Sequence, residues 1–180
     1  MSILVLLKDK TRPQHDRLEN ELNLLRPDLS IDDYIGLLKK FYGFYLPLEK
    51  TGIIPVDRLK VPHLEKDLRY FKIDPHLIKT CLTLPDVSTP SHIFGIRYVI
   101  EGSTLGGMVL TKHFKDIFHI SPDSGCFFFS GYGAETMLMW KAFQSELLEF
   151  SKTESFNEEI VLQSARDTFE SLRLWLLSER

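Results

Sequence analysis

Cysteine is scarce in this sequence. Its 180 residues include only Cys81 and Cys126, and neither belongs to a CxxC pair. A disulfide framework or a cysteine-based zinc site needs more cysteines or closer spacing. We therefore expect two free thiols, both buried.

The sequence also lacks an excess of charge and a long apolar run. Lys and Arg number 22 against 25 Asp and Glu, for a net charge of −3, which favours neither nucleic acid nor a membrane as the main partner. The apolar start from Ile3 to Leu7 gives way at once to Lys8 and is too short for a signal peptide or a membrane span. We predict a soluble, cytoplasmic protein.

Strand signals are missing as well. There is no clean alternation of apolar and polar residues and no Asn-Gly or Asp-Gly dipeptide, so no β-hairpin is predicted. Apolar residues instead recur every three or four positions, which predicts an all-α fold, with a single domain over residues 1–180. Helices are expected over residues 2–24, 30–47, 62–71, 75–82, 89–118, 133–150 and 155–178.

Local chemistry predicts several of the helix ends. Ser30 is a good N-cap for the second helix, and Pro47 is expected to bend or end it. Thr89 followed by Pro90 predicts the start of the fifth. Ser155, with Glu158 three residues later, has the pattern of a capping box for the last helix.

The stretch from Tyr98 to Leu110 carries an unusual set of glycines inside a helical pattern. Gly102, Gly106 and Gly107 each cost about 0.8–1 kcal/mol relative to Ala in a helix interior. Such a helix presents bare backbone on one face, against which another helix or a flat ligand can lie closely. The glycines alone leave both explanations open.

His15 is the histidine with the most informative surroundings. Helical spacing places it on the apolar stripe of the first helix, so we expect it to be buried, with Glu19 at i+4 within reach. A carboxylate on one ring nitrogen leaves the other free to bind a metal. A buried structural histidine satisfied by Glu19 is the alternative.

Common catalytic motifs are absent from the sequence. There is no GxSxG, GxxxxGK[ST], HExxH or GxGxxG, and no ExxH set for a di-iron bundle. What remains is His15, the bare helix face, many aromatic residues and basic residues that could hold anionic groups at the rim of an apolar slot: Lys8, Lys141, Arg166 and Arg173. A flat metallocycle with two carboxylates fits this set.

Two segments resemble the heme oxygenases, especially the bacterial branch that includes members accompanying bacteriophytochromes. Residues 11–19, TRPQHDRLE, resemble the TRxxHxxLE segment that carries the proximal iron ligand, and residues 101–107, EGSTLGG, are similar to the EGSxLGG form of the distal helix. The agreement covers nearly the whole chain. It implies a helical bundle with heme between a proximal N-terminal helix and a kinked, glycine-rich distal helix.

The resemblance also implies roles for individual residues. His15 would be the axial ligand of the heme iron, and Glu19 its hydrogen-bonding partner. Gly102, Ser103 and Gly106 would form the catalytic distal wall above the iron, and Lys8 and Lys141 would contact the heme propionates. The remaining residues expected to bind heme are Thr11, Tyr98, Gly107 and, on the proximal side, Phe169.

Two positions depart from the pattern of the animal members of the family. Ser103 replaces an Asp that organises the waters delivering protons to bound oxygen, although the bacterial branch also has Ser there. Ser145 stands where animal members place a propionate-binding Arg, and Arg166 or Arg173 would have to supply that charge. The proton route and the in-plane orientation of the heme are therefore open.

The resemblance implies oxidative cleavage of heme b, substrate and cofactor at once, to biliverdin with release of iron and CO. The reaction would use O2 and electrons from a ferredoxin or an NAD(P)H-dependent reductase, and a phytochrome is a candidate acceptor for the biliverdin. Two alternatives remain at this point: a non-catalytic heme sensor, carrier or storage protein on the same fold, and a helical interaction protein without heme.

Overall fold

The computed structural model describes residues 1–178, so residues 179 and 180 of the predicted domain lie outside the described part. Its six α-helices are α1 (Ile3–Leu22), α2 (Ile31–Glu49), α3 (Val61–Tyr70), α4 (Pro90–Phe118), α5 (Thr136–Phe150) and α6 (Glu158–Leu177). Short 3-10 turns span Val56–Arg58, Pro75–Leu77 and Gly133–Glu135. Within residues 1–178 the only β-type pairing is a pair of isolated bridges at Ser121. The predicted all-α architecture is confirmed.

Helix α2 continues past the proline expected to bend or end it. Ser30 and Asp33 form a capping box at its start, as the N-cap prediction requires, and the helix runs through Pro47 to Glu49. A proline has no N–H for the carbonyl four residues earlier, here that of Gly43. That carbonyl accepts instead from the backbone N–H of Cys81, 2.8 Å away, so the missing helical bond is replaced by a tertiary one.

Helix α4 has the predicted bounds and runs through the glycine stretch as one α-helix. The Thr89 side chain accepts from the His92 backbone N–H, Pro90 is in the first turn, and His119 ends the helix in the left-handed conformation. By length and composition alone, α4 is apolar enough to cross a membrane. Its residues Ile96 and Ile100 are buried in the protein core, and this packing accounts for its apolarity.

Two predictions about helices were wrong, one on a helix and one on an N-cap. In place of a helix over 75–82 there is only the 3-10 turn Pro75–Leu77, after which Ile78 is extended. The N-cap of α6 is Asn157 and not Ser155: the Asn157 side chain accepts from the Ile160 backbone N–H at 3.1 Å. Asn competes with Ser as an N-cap and here stands two residues closer to the helix.

The larger part of the core surrounds α2 and contains the aromatic run that precedes α5. Phe128 and Phe129 pack against Phe41 with ring centroids 4.9 and 5.7 Å away. The run is fixed by Asp67, which is fully buried and accepts from the backbone N–H groups of Phe127 and Phe128, both at 2.8 Å. Burial raises the pKa of Asp67 to about 6. The connection between α4 and α5 is therefore held in place by a buried carboxyl group.

A second core cluster joins α1, α4, α5 and α6. Its buried members are Ile3, Leu7, Val99, Phe143, Leu147, Val161, Ala165 and Phe169. Helix α6 packs along both α1 and α4, so it holds the two helices that carry His15 and the glycine stretch. Both cysteines are free and buried, as predicted.

Candidate functional site

The His15 side chain lies beside the buried stripe of α1 and not on it. The buried residues of α1 are Ile3, Leu7 and Thr11. Beyond Thr11 the stripe continues through the partly buried Gln14 and Leu18, so His15 lies one position away from it. Its side chain is 51% exposed. The prediction that His15 is buried was wrong, because the apolar positions of α1 define a narrower stripe than the sequence suggested.

Both carboxylates near His15 approach the same ring nitrogen. Glu19 Oε2 lies 3.6 Å and Asp16 Oδ1 lies 3.7 Å from Nδ1. These separations suit an electrostatic contact and are long for hydrogen bonds. Nε2 has no hydrogen-bond partner among residues 1–178, which is what a metal-ligating nitrogen requires.

Phe169 supports the other side of the imidazole. It is 8% exposed within the second core cluster, and its ring meets that of His15 edge-on with centroids 5.8 Å apart. The structure therefore brings these two residues together, one from α1 and one from α6.

The face of α4 with Gly102 and Gly106 is bare and open. A Cβ atom on Gly102 would meet only the Trp140 ring, at 3.8 Å, and one on Gly106 would meet nothing within 4 Å. Val109, one turn further on, is 60% exposed. The face thus combines exposed backbone with apolar side chains, a surface that a flat apolar molecule could cover.

Gly107 has a different role, which is to allow a close contact between α4 and the aromatic segment 127–129. A Cβ atom there would lie 2.3 Å from the carbonyl oxygen of Phe129. The missing side chain therefore lets the aromatic connection, residues 127–129, lie close to α4. Gly107 is buried and points away from the open face. The structure gives it a packing role and does not place it with Gly102 and Gly106.

Thr11 and Tyr98 connect the two helices one turn before His15 and before Gly102. Burial raises the pKa of Tyr98, and a hydrogen bond with the Thr11 side chain opposes that rise. The Thr11 hydroxyl also donates to the Leu7 carbonyl at 2.7 Å. Side chains of α1 and α4 thus meet here and in the second core cluster, while both helices pack mainly against α6.

The predicted basic residues differ in their availability. Lys8 and Lys141 are exposed, and neither forms an ion pair within the described chain. Arg173 is already engaged with Glu21 at 2.7 Å and Glu170 at 2.6 Å, and these carboxylates raise its pKa. Of the two arginines proposed to replace the one missing at Ser145, Arg166 is the one without an ion pair among residues 1–178, and its guanidinium donates to the side chain of Gln163.

Near Ser103 lie polar residues that the sequence analysis did not identify. The Ser103 hydroxyl donates to the Ile100 carbonyl at 2.7 Å. Burial raises the pKa of Tyr45, and the nearby Ser103 side chain lowers it in part. Two residues before Ser103 on α4, Glu101 is 1% exposed. An acidic residue in an apolar helix was the one available signal of a polar cluster behind α4.

These residues fit a heme. A free imidazole nitrogen supported by Phe169 suits an iron ligand, the open backbone at Gly106 leaves room for a macrocycle, and two unpaired lysines suit its carboxylates. The combination of one free nitrogen, a bare apolar wall and rim cations is what a carboxylate-bearing metallocycle requires.

Comparisons with known proteins agree with this arrangement. The family model for heme oxygenase matches residues 1–178, and no curated protein sequence matches the chain. Among solved structures, the NO- and CO-bound heme oxygenase of Neisseria meningitidis is 24% identical, with a TM-score of 0.80 over 98% of this chain and 90% of that one. That of Leptospira interrogans is 17% identical, with a TM-score of 0.81 over 98% of each chain.

A third similar structure is heme oxygenase 2 from Chlamydomonas reinhardtii without heme. It is 16% identical, with a TM-score of 0.74 over 99% of this chain and 97% of that one. At these identities the structures establish the fold, while the family model spans nearly the whole chain. The chain therefore belongs to the heme oxygenase family.

Proposed function

We propose that His15 binds the iron of heme on the α1 side of the slot, and that Gly102 and Gly106 of α4 form the opposite wall. As a heme oxygenase the enzyme degrades heme to biliverdin, with release of iron and CO. The observation that carries the placement is the free Nε2 of His15 on a helix that contacts, through Thr11 and Tyr98, the helix with the open glycine face.

Heme b supplies the iron at which O2 is activated, and the protein contributes binding, orientation and the exclusion of water. Electrons would come from a ferredoxin or an NAD(P)H-dependent reductase. A bilin acceptor such as a phytochrome is a further proposed partner, and neither nucleic acid nor a membrane is proposed. Free cysteines suit the reducing cytoplasm, where we place the protein.

The proximal residues would fix the orientation of the imidazole. Glu19 and Asp16 attract the Nδ1 side of the ring, which leaves Nε2 pointing away from them, and the edge of Phe169 limits rotation of the ring. A ligand fixed by neighbouring groups binds with less loss of side-chain freedom.

The distal residues would control space above the iron. Without side chains at Gly102 and Gly106 the α4 backbone can lie close to a flat ligand, and Trp140 borders the Gly102 end. Ser103, next to Gly102, would offer the hydroxyl group nearest this wall for proton transfer. Gly107 would act indirectly, by fixing α4 against the aromatic connection.

The rim residues would bind the two carboxylates of the substrate. Lys8 lies two turns before His15, which in a helix is on the same side. Lys141 follows Trp140, the residue that borders Gly102. Two separate cations would hold the macrocycle in one in-plane orientation, with Arg166 as a third candidate.

Turnover with product chromatography tests the proposal. Purified protein with hemin and ascorbate, or a reductase, in air should lose its Soret band and yield biliverdin, and the isomer identifies the ring carbon attacked. A heme spectrum that persists through many electron equivalents would instead indicate a sensor, carrier or storage protein. No binding of hemin at micromolar concentration would indicate a helical interaction protein.

A further inference from the structure

Two arginines and a glutamate join α4 to α5 by ion pairs. Glu146 of α5 is the central group: its Oε1 accepts from Arg58 Nη2 at 3.0 Å and its Oε2 from Arg97 Nη2 at 2.5 Å. Arg58 ends the first 3-10 turn, and Arg97 belongs to α4. The two arginine side chains are only 4% and 9% exposed. Solvent and salt therefore screen these pairs less than they screen pairs on the surface.

Arg58 has two further partners. Its Nη1 lies 3.2 Å from Glu101 Oε2, which also accepts from the Tyr132 hydroxyl at 2.8 Å. The same Nη1 donates to the Met139 carbonyl at 3.2 Å. One planar guanidinium group therefore binds a side chain of α4, a side chain of α5 and the backbone of α5. A lysine could not make this set of contacts, because its ammonium group is a single point charge.

These contacts adjoin residues of the proposed heme slot. Glu101 precedes Gly102 on α4, and Met139 precedes Trp140 and Lys141 on α5. Trp140 borders Gly102, at 3.8 Å from the position of a Cβ atom, and Lys141 is a proposed contact of a heme carboxylate. The guanidinium group thus joins the start of the glycine wall to the part of α5 that carries the neighbouring slot residues.

Apolar packing of α5 is limited, so its position depends on these polar contacts. Of its 15 residues, the buried ones are Thr136, Phe143 and Leu147. The Phe143 ring lies 5.3 Å from the Arg97 guanidinium and is stacked with Trp140 at 5.6 Å between centroids. Because a helix moves as a rigid element, a displacement of α5 would carry the residues that border the slot with it.

We propose that Arg58 is a positioning residue, which through Glu101 and Glu146 fixes α5 against α4 and so sets the in-plane orientation of the heme and the ring carbon attacked. The inference rests on the proposed function. Arg58 needs no contact with the substrate in this role. It determines where Trp140 and Lys141 lie relative to the glycine wall, and a macrocycle held by its carboxylates rotates when a cation that holds them is displaced.

Fluorine NMR tests the positioning of α5 without heme. The chain has two tryptophans, Trp140 and Trp175, so labelling with 5-fluorotryptophan gives two signals, which Trp175→Phe assigns. Glu146→Gln removes the charge that two buried guanidinium groups share and keeps the shape of the side chain. The Trp140 signal should therefore shift or broaden in this variant. An unchanged Trp140 signal would overturn the proposal.

Glu149→Gln is the matched control for this substitution. Glu149 lies on the same helix, is exposed and pairs with Lys152 three residues later, so it does not join α5 to another element. Its replacement by Gln makes the same chemical change as Glu146→Gln. Both tryptophan signals should stay at their wild-type positions, and a shift as large as that in Glu146→Gln would overturn the proposal.

The orientation of bound heme has two readouts. Proton NMR of the heme methyl groups in the hemin-loaded protein reports rotation of the macrocycle, and product chromatography reports the biliverdin isomers. In Glu146→Gln and Arg58→Lys the methyl pattern should change, and the ratio of minor to major isomer should rise several-fold. A purely structural role would lower the yield of folded protein and leave both readouts as in wild type, and that result would overturn the proposal.

The outcomes separate this proposal from the proposed function. If the wild type binds hemin and forms no biliverdin, the proposed function fails, and the methyl pattern still decides whether Arg58 orients the heme. If the wild type forms biliverdin and Glu146→Gln keeps its isomer ratio, only the positioning role is wrong. Should Arg58→Lys not fold, because the buried Glu101 loses a partner, Glu146→Gln decides, since Glu146 is exposed.

Discussion

Alanine at two adjacent glycines of α4 should have opposite effects on stability. Gly106→Ala adds a methyl group where nothing lies within 4 Å, whereas Gly107→Ala places one 2.3 Å from the Phe129 carbonyl oxygen. Both variants gain the same helix propensity, about 0.8–1 kcal/mol. The difference between them therefore measures the contact of Gly107 with the aromatic connection.

The expected magnitudes follow from this geometry. Gly106→Ala should raise the free energy of unfolding by about 0.8–1 kcal/mol, which for a chain of this size raises Tm by about 2–4 °C. In Gly107→Ala a backbone carbonyl must move, at a cost of about 1–3 kcal/mol. We therefore expect the Gly107 variant to be less stable than the Gly106 variant by about that amount.

Urea unfolding followed by circular dichroism measures the stability difference, and turnover measures the functional one. A bulkier substitution, Gly106→Leu, should leave the fold and most hemin binding intact while it blocks or diverts turnover, because the added side chain occupies the open face. Equal stabilities of the two alanine variants would refute the packing assigned to Gly107. Unchanged turnover in Gly106→Leu would refute the assignment of α4 as the distal wall.

Three further predictions concern other parts of the chain. Because burial raises the pKa of Asp67 to about 6, the folded state binds more protons than the unfolded state between about pH 4 and 6. The free energy of unfolding should therefore fall by up to about 3 kcal/mol as pH rises through this window. Urea unfolding of Asp67→Asn at several pH values should show a weaker pH dependence. Asn157→Ala should cost about 1 kcal/mol of stability and Ser155→Ala almost nothing, and equal Tm values for the two would contradict the observed cap. Lys8→Ala and Lys141→Ala should each weaken hemin binding several-fold, in a salt-dependent manner, without a change in Tm. Neither substitution should change the affinity for a heme whose carboxylates are esterified.

Elements with complete local signals could be predicted from the sequence. Thr89 and Pro90 specify the start of α4 by chemistry within one turn, and the observed helix has the predicted bounds. At the start of α6 the sequence offers two candidate N-cap residues, Ser155 and Asn157, and the structure uses Asn157. The continuation of α2 through Pro47 could not be predicted, because the freed carbonyl of Gly43 finds its partner in Cys81, which is far away in sequence.

In the candidate site, too, features set within one helix could be predicted from the sequence, and features set by tertiary packing could not. The pairing of His15 with Glu19 is set by spacing within one helix and is found in the structure, whereas the exposure of His15 depends on how α6 packs against α1. Arg58 and Glu101, which pair at 3.2 Å, come from separate segments with no shared spacing, so no sequence pattern joins them. Their proximity arises only when α2, α4 and the segment before α3 pack together.

Replacement of the proposed iron ligand tests the central claim most directly. Titration of His15→Ala with hemin should give a shifted or weakened Soret band and no biliverdin, and added imidazole should restore the wild-type spectrum by occupying the vacated position. His76→Ala, which removes an exposed histidine outside the site, should match wild type. An unchanged Soret band and unchanged biliverdin formation in His15→Ala would contradict the assignment of His15 as the axial ligand.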